Sequence, residues 1–242
     1  MSLTFARPIE KREKLYPSLR EMCLTYRFWP FQQLNIEEIA TRFSASTTPV
    51  REVLARLAGE GLIDNIPNRG YFARHVTVDE VRCRLDLLFL LLQHALQSSP
   101  RAQSWKEPGP APQNDRACHP ITIEANCLYL SIAAMSHNIL LVPEITRHLD
   151  LTRCIRSIDL ENAARRTEWT KSLADLRSCL QKGDRDEASL RLQQQHEALQ
   201  ARLPELIHQM QLKLVMAGAN PSPFPHSAGL STVAAHQKPA FP

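Results

Sequence analysis

The chain has 242 residues and a formal net charge of +4, a mildly basic balance that permits nucleic-acid binding without requiring it. Its length predicts two domains, each able to bury a core of its own. The most apolar run, LDLLFLLLQHAL from Leu85, is too short for a membrane span and is broken by polar residues, so it predicts a buried helix.

The cysteines and the first residues indicate a cellular compartment. Six cysteines are scattered without a C-x-x-C pair, and cysteines in apolar helical contexts are usually small core residues. Arg7, Lys11, Arg12 and Lys14 interrupt any apolar core that a signal peptide would need. We therefore expect a cytoplasmic protein that has no membrane contact and no cofactor.

The first part of the chain predicts three helices followed by a hairpin. Helical patterns run over Glu10–Tyr26 and over Asn35–Phe43, where Asn35 has the residue type of an N-cap. A third helix begins at Thr47 and ends near Gly59–Gly61. Two short β-like runs then flank the turn residues Pro67–Gly70. This order of elements is typical of a winged helix-turn-helix.

The stretch SASTTPVREVL, residues 44–54, predicts a helix N-terminus that is suited to an anion or a base edge. Ser and Thr accept from the unpaired N–H groups of a first turn, and Pro49 is tolerated there because its missing N–H has no helical partner. Val50, Val53, Leu54 and Leu57 follow at helical spacing. Such a terminus offers free donors, partial positive charge and Arg51.

The rest of the chain predicts an all-α bundle. A helix starts after Thr77, which has Glu80 three residues later, and helical patterns return over 121–136, 139–149, 160–181 and 184–214. The fold class is therefore mainly α. We assign residues 7–76 to a winged helix-turn-helix domain, 77–215 to a helical domain with a Pro-rich loop at 98–120, and 216–242 to a disordered tail.

The segment IEEIATRFSASTTPVREVLARLAGEGLIDNIPNRGYFAR resembles the DNA-reading domain of GntR-family bacterial transcription regulators. TPVRE, EGLI and PNRG carry this resemblance, which covers Leu15 to Val76. The helical remainder resembles the FadR-type (FCD) effector and dimerisation domain through AMSHNILLVPEITRHL and CLQKGDRDEA. The resemblance implies a homodimer that binds an inverted-repeat site on double-stranded DNA and responds to a small-molecule effector.

By this resemblance, the helix from Thr47 enters the major groove and the hairpin tip enters the minor groove. Arg51 would pair with a guanine. For Ser46 and Thr48, capping of the helix and contact with DNA remain equal alternatives. The residues expected to face DNA are Ser46, Thr47, Thr48, Arg51, Asn68, Arg69 and Gly70.

Several positions depart from the family pattern. Thr47 and Glu37 stand where many relatives have arginine, which should weaken phosphate attraction unless Arg42 or Arg56 compensates. Phe31 and Ser44 stand where relatives usually have glycine. These departures support a second hypothesis, in which the reader domain has become a protein-interaction module; the salt dependence of DNA binding separates the two.

The FadR-type resemblance also implies an effector site. Relatives often bind a divalent metal there, but the ligand positions align with Ala125, Tyr129, Leu173 and Gln195, so we expect no metal. We expect a pocket that is more apolar than usual, and its predicted lining residues are Leu88, Leu92, Tyr129 and His196. A buried, hydrogen-bonded side chain is the favoured interpretation of His196, with ligand binding as the alternative.

The sequence contains no signature of an enzyme. We find no nucleophile elbow, no phosphate-binding glycine loop, no zinc signature and no paired catalytic carboxylates. We therefore expect a protein without catalytic activity.

Overall fold

A computed structural model describes residues 8–99, 105–109 and 119–217, with side chains described from residue 14 to residue 216 of those ranges. Residues 1–7, most of the Pro-rich segment at 98–120 and the tail from residue 218 lie outside these ranges. The elements within these ranges are α1 (Pro8–Leu24), α2 (Ile36–Phe43), α3 (Thr47–Gly59), β1 (Ile63–Ile66), β2 (Gly70–Ala73), α4 (Val78–Ser98), α5 (Pro120–Met135), α6 (Leu141–Asp159), α7 (Ala163–Lys182) and α8 (Arg185–Ala217). The predicted fold class, an N-terminal winged helix-turn-helix and a helical C-terminal region, is confirmed.

Local signals account for the N-terminal elements. Asn35 caps α2, because its Oδ1 accepts from the backbone N of Glu38 at 3.1 Å. Strands β1 and β2 pair antiparallel with Ile66 opposite Gly70. The apolar faces of these elements meet in one core, whose most deeply buried residues are Leu15, Leu19, Ile39, Val50, Leu54 and Leu57.

Four non-glycine residues in this domain, Tyr26, Phe31, Ser44 and Asn68, have left-handed backbone conformations that favour glycine. Phe31 has φ 62° and Ser44 has φ 50°, the two positions at which the family pattern has glycine. Ser44 ends α2 in this conformation, and its N–H bonds back to the carbonyls of Ala40 and Thr41. The ring of Phe31 is 66% exposed and stacks on His75 at 5.2 Å.

The C-terminal helices share a second core. Helix α4 packs against α5, α6 and α8, and α7 packs against α5 and α8. Helix α6 continues ten residues beyond the predicted end at Leu149, and α8 includes Met216 and Ala217, which were assigned to the tail. Among the described residues, no helix is long and apolar enough to cross a membrane.

The two cores are joined by charged contacts between α1 and α6. Arg20 contacts Glu60 of the first domain at 3.3 Å and Asp150 of α6 at 2.7 Å. Glu21 pairs with Arg153, which is 6% exposed. These residues line a cleft of about 930 Å³ between the two parts of the molecule. Helix α6 therefore belongs to the bundle and also holds the first helix.

Candidate DNA-binding surface and ligand cavity

The N-terminus of α3 leaves its polar side chains exposed. Ser46 occupies the N-cap position with φ −80° and ψ 165°, yet its side chain makes no capping hydrogen bond. Thr47, Thr48 and Arg51 are also exposed, and no acidic residue lies in the first turn. Arg51 forms no ion pair with the residues that the structure describes. This end of α3 therefore presents unpaired donors and a cation to solvent.

The hairpin tip is held in a defined shape. Asn68 has φ 62° and Gly70 has φ 99°, and the N–H of Arg69 donates to the carbonyl of Ile66 at 3.0 Å. Gln33, which precedes α2, donates from Nε2 to the carbonyl of Arg69 at 2.9 Å. The side chains of Asn68 and Arg69 are exposed. Sequence reasoning missed Gln33, because its contact joins residues 36 positions apart.

Arg56 does not add a cation to this surface. Its guanidinium lies 3.7 Å from the centre of the Tyr16 ring, and its Nε is 3.1 Å from Oε1 of Glu60. Burial raises the pKa of Glu60, but hydrogen bonds from Tyr16, Arg56 and Arg20 outweigh it and hold the pKa below its usual range. Arg56 is therefore engaged with α1 and does not compensate for Thr47.

The four predicted effector-site residues surround one cavity in the bundle. Leu88, Leu92, Tyr129 and His196 all line it, and its volume is about 40 Å³. Its other walls are mainly apolar. They comprise Leu85, Phe89, Arg156, Trp169, Leu192, Gln195 and Leu199. The predicted residues are thus brought together, while effector binding remains a prediction.

Two hydrogen-bond networks, each with buried and partly buried members, form the polar side of this cavity. Tyr129 donates from its hydroxyl to Oε1 of Gln195 at 2.8 Å, and Nε2 of Gln195 donates to Oγ of Ser172 at 2.8 Å. A tyrosine phenol is neutral at pH 7, and burial raises the pKa of Tyr129 further, to about 12. Trp169 donates from Nε1 to Asp159 at 2.8 Å, and Asp159 also pairs with Arg202 at 3.1 Å.

His196 lies at the edge of the cavity, and its ring contacts both Asp86 and Phe89. Its Nε2 is 3.0 Å from Oδ1 of Asp86, and its ring stacks on Phe89 with the ring centres 4.6 Å apart. Asp86 also accepts from Nε2 of Gln200 at 2.7 Å. This geometry is that of a hydrogen-bonded histidine packed in a wall.

Comparison with known proteins relates the N-terminal domain to one family of bacterial regulatory proteins. Residues 11–72 match the family model "Bacterial regulatory proteins, gntR family". This match lies within the N-terminal domain, which is similar to the GntR family. The Nta operon transcriptional regulator of Aminobacter aminovorans is 34% identical over 76 residues, which are 31% of this chain and 36% of that protein. Such matches span about a third of the length of the curated relatives.

Solved structures extend the similarity of fold beyond the GntR domain. A GntR protein from Rhodococcus sp. RHA1, described as a putative transcriptional regulator, has a TM-score of 0.59 at 15% identity and covers 81% of this chain and 98% of its own. The E. coli McbR/YncC structure has a TM-score of 0.54 at 19% identity, with coverage of 82% and 98%. At these identities the likeness concerns the fold of both domains.

The four positions at which the FadR-type resemblance implies metal ligands do not carry residues that fit a divalent metal. Ala125 and Leu173 carry no donor atoms, Tyr129 is neutral, and the amide of Gln195 is occupied by two hydrogen bonds. Within the described part of the chain, no group of three or more His, Cys, Asp or Glu side chains could hold a metal ion.

Proposed function

We propose that this chain is a sequence-specific, DNA-binding transcription regulator of the cytoplasm. One observation carries the proposal: the N-terminus of α3 and the hairpin tip expose Arg51 and Arg69, neither of which is engaged in an ion pair with a described residue. In the winged helix-turn-helix arrangement, these two elements reach the major and minor grooves. The GntR family match of residues 11–72 supports this assignment.

A homodimer that reads an inverted repeat follows from the size of the recognition element. Helix α3 has 13 residues, and only its first turns reach base edges, so one copy covers a half-site. Two copies related by a two-fold axis read two half-sites in opposite orientation. The proposal therefore includes a symmetric operator.

Regulation by a small molecule is the third component. Arg156 of α6 lines the cavity, and Asp159 of the same helix holds Trp169 in the cavity wall. Asp150 and Arg153 of α6 hold α1. A ligand that displaces α6 would thus act on the domain that carries α3, which supports an effector-controlled regulator. The leucine-rich lining favours a ligand with an apolar part.

Selection of bound duplexes from a random DNA pool tests the DNA-binding function. The full chain should enrich one inverted repeat, and Arg51→Ala should lose about 1–3 kcal/mol of preference for it. Arg56→Ala is the matched control, because it removes the same charge from the same helix but from the side facing Tyr16. It should retain the preference. Failure to enrich any sequence at low salt would reject the proposal and favour the protein-interaction module.

A further inference from the structure

The cavity in the bundle is too small to hold an organic ligand by itself. Its volume of about 40 Å³ admits only a few heavy atoms, whereas sites for small organic molecules typically have about 300–1,000 Å³. Binding of an effector therefore requires additional space. The question is which wall can open.

A second, open groove of about 360 Å³ lies next to the cavity between α7 and α8. Polar and charged side chains, among them Lys171, Asp175 and Arg191, line it. Trp169 and Gln195 line both the groove and the cavity. These two side chains are therefore the partition between a polar outer volume and an apolar inner one.

The two halves of this partition differ in how firmly they are held. Trp169 is a rigid ring, 6% exposed, and its Nε1 is bonded to buried Asp159. Gln195 is a flexible side chain with one hydrogen bond on each side, to Tyr129 inside and to Ser172 outside. Rotation of Gln195 breaks only these two bonds, and water in the open groove can replace the one to Ser172.

We propose that the cavity and the α7–α8 groove are one binding site, with Gln195 as the gate between them, for an amphipathic small molecule. The apolar end of this ligand enters between the leucine side chains of the cavity, and its polar head stays among the charged side chains of the groove. The inference rests on the proposed role of the bundle as the ligand-responsive part, and it adds the route of entry and the chemistry of the ligand.

Isothermal titration calorimetry of the full chain with butanoate, a probe whose short apolar chain fits the inner cavity and whose head is anionic, tests the gate. Tyr129→Phe removes the inner hydrogen bond without changing the shape of the wall, and Gln195→Ala removes the gate. Both should bind the probe about threefold or more tighter, because a larger fraction of the protein is open. Ala198→Trp, which fills the groove, should weaken binding about tenfold.

Gln193→Ala is the matched control, because Gln193 lies exposed on the same helix and bonds to Glu197. It should bind the probe as the unmodified chain does. Equal affinity in Tyr129→Phe, Gln195→Ala and the unmodified chain would overturn the gate, as would the absence of probe binding in all of them. Neither result affects the DNA selection, so failure of the gate is distinguishable from failure of the regulator.

Discussion

The exposed surface of the GntR domain and the cavity of the bundle use polar side chains in opposite ways. At the N-terminus of α3, Ser46 and Arg51 face solvent and make no contact that the fold requires. In the bundle, Tyr129, Gln195 and Asp159 are buried and bonded to one another or to neighbouring side chains. Substitutions at the surface should therefore change binding alone, whereas substitutions in the cavity should change stability as well.

Loss of Asp159 should have the largest effect. Its carboxylate is 3% exposed and accepts from both Trp169 and Arg202. Asp159→Ala removes this partner from the indole N–H of Trp169 and from Arg202, which is partly buried and keeps its pair with Glu168. The free energy of unfolding should fall by about 3–5 kcal/mol. Chemical denaturation measures this change. Asp79→Ala is the control, because Asp79 pairs with Arg82 while 88% exposed and should cost less than about 1 kcal/mol.

Arg69→Ala should weaken DNA binding and leave the stability of the fold nearly unchanged. Removing one cation from the hairpin tip should weaken binding to the selected duplex by about 1–3 kcal/mol and reduce the slope of log affinity against log salt by about 1. The free energy of unfolding should change by less than about 0.5 kcal/mol. Fluorescence anisotropy at several salt concentrations and thermal melting measure the two quantities. A large loss of stability would contradict the distinction between surface and cavity.

A smaller effect is expected at the end of α2. Ser44→Gly should stabilise the GntR domain by about 0.5–1 kcal/mol, because glycine adopts the left-handed conformation of Ser44 without steric cost. Ser46→Gly is a close control, since Ser46 has a negative φ and makes no capping bond. It should be neutral or slightly destabilising. Thermal unfolding measures both changes. A lower melting temperature of Ser44→Gly would contradict the expectation that the left-handed conformation of Ser44 costs free energy.

The smallest effect concerns pH. Burial lowers the pKa of His148 below 6.5, Arg84 and Arg147 lower it further, and Glu144 opposes them. The unfolded chain therefore binds this proton more strongly than the folded chain does. The free energy of unfolding is highest above pH 6.5, and it decreases as the pH falls through the lower pKa of the folded state. His148→Leu should lose less stability than the unmodified chain between pH 7 and 5. Parallel pH curves for the two proteins would contradict this expectation.

The sequence predicted those parts of the fold whose signals are local. The Asn35 cap, the start of α3 at Thr47 and the turn at Pro67–Gly70 each depend on a few adjacent residues. Four cavity residues were also brought together as expected, because an apolar stripe and the family pattern identified their helix faces. Whether they bind an effector, and whether the predicted residues contact DNA, remain predictions.

The sequence could not predict features that depend on distant partners. The second half of α6 contains Arg153, Arg156 and Asp159, which are polar by residue type and yet buried. Their burial becomes favourable through partners that include Glu21, Asn126 and Trp169, which lie 10 to 132 positions away along the chain. For the same reason, the sequence identifies Gln195 only as a position that aligns with a metal ligand of relatives, and it does not identify Ser172.

Arg20 couples the position of α3 to that of the bundle. It holds Glu60, the C-cap of α3, with the same guanidinium that holds Asp150 of α6, so the rear end of α3 is tethered to the bundle. Helix α3 has 13 residues and is therefore about 20 Å long. If α3 rotates as a rigid body about its middle, a sideways displacement of about 1 Å at Glu60 moves Thr47 by about 1 Å in the opposite direction. A shift of this size is enough to break a hydrogen bond.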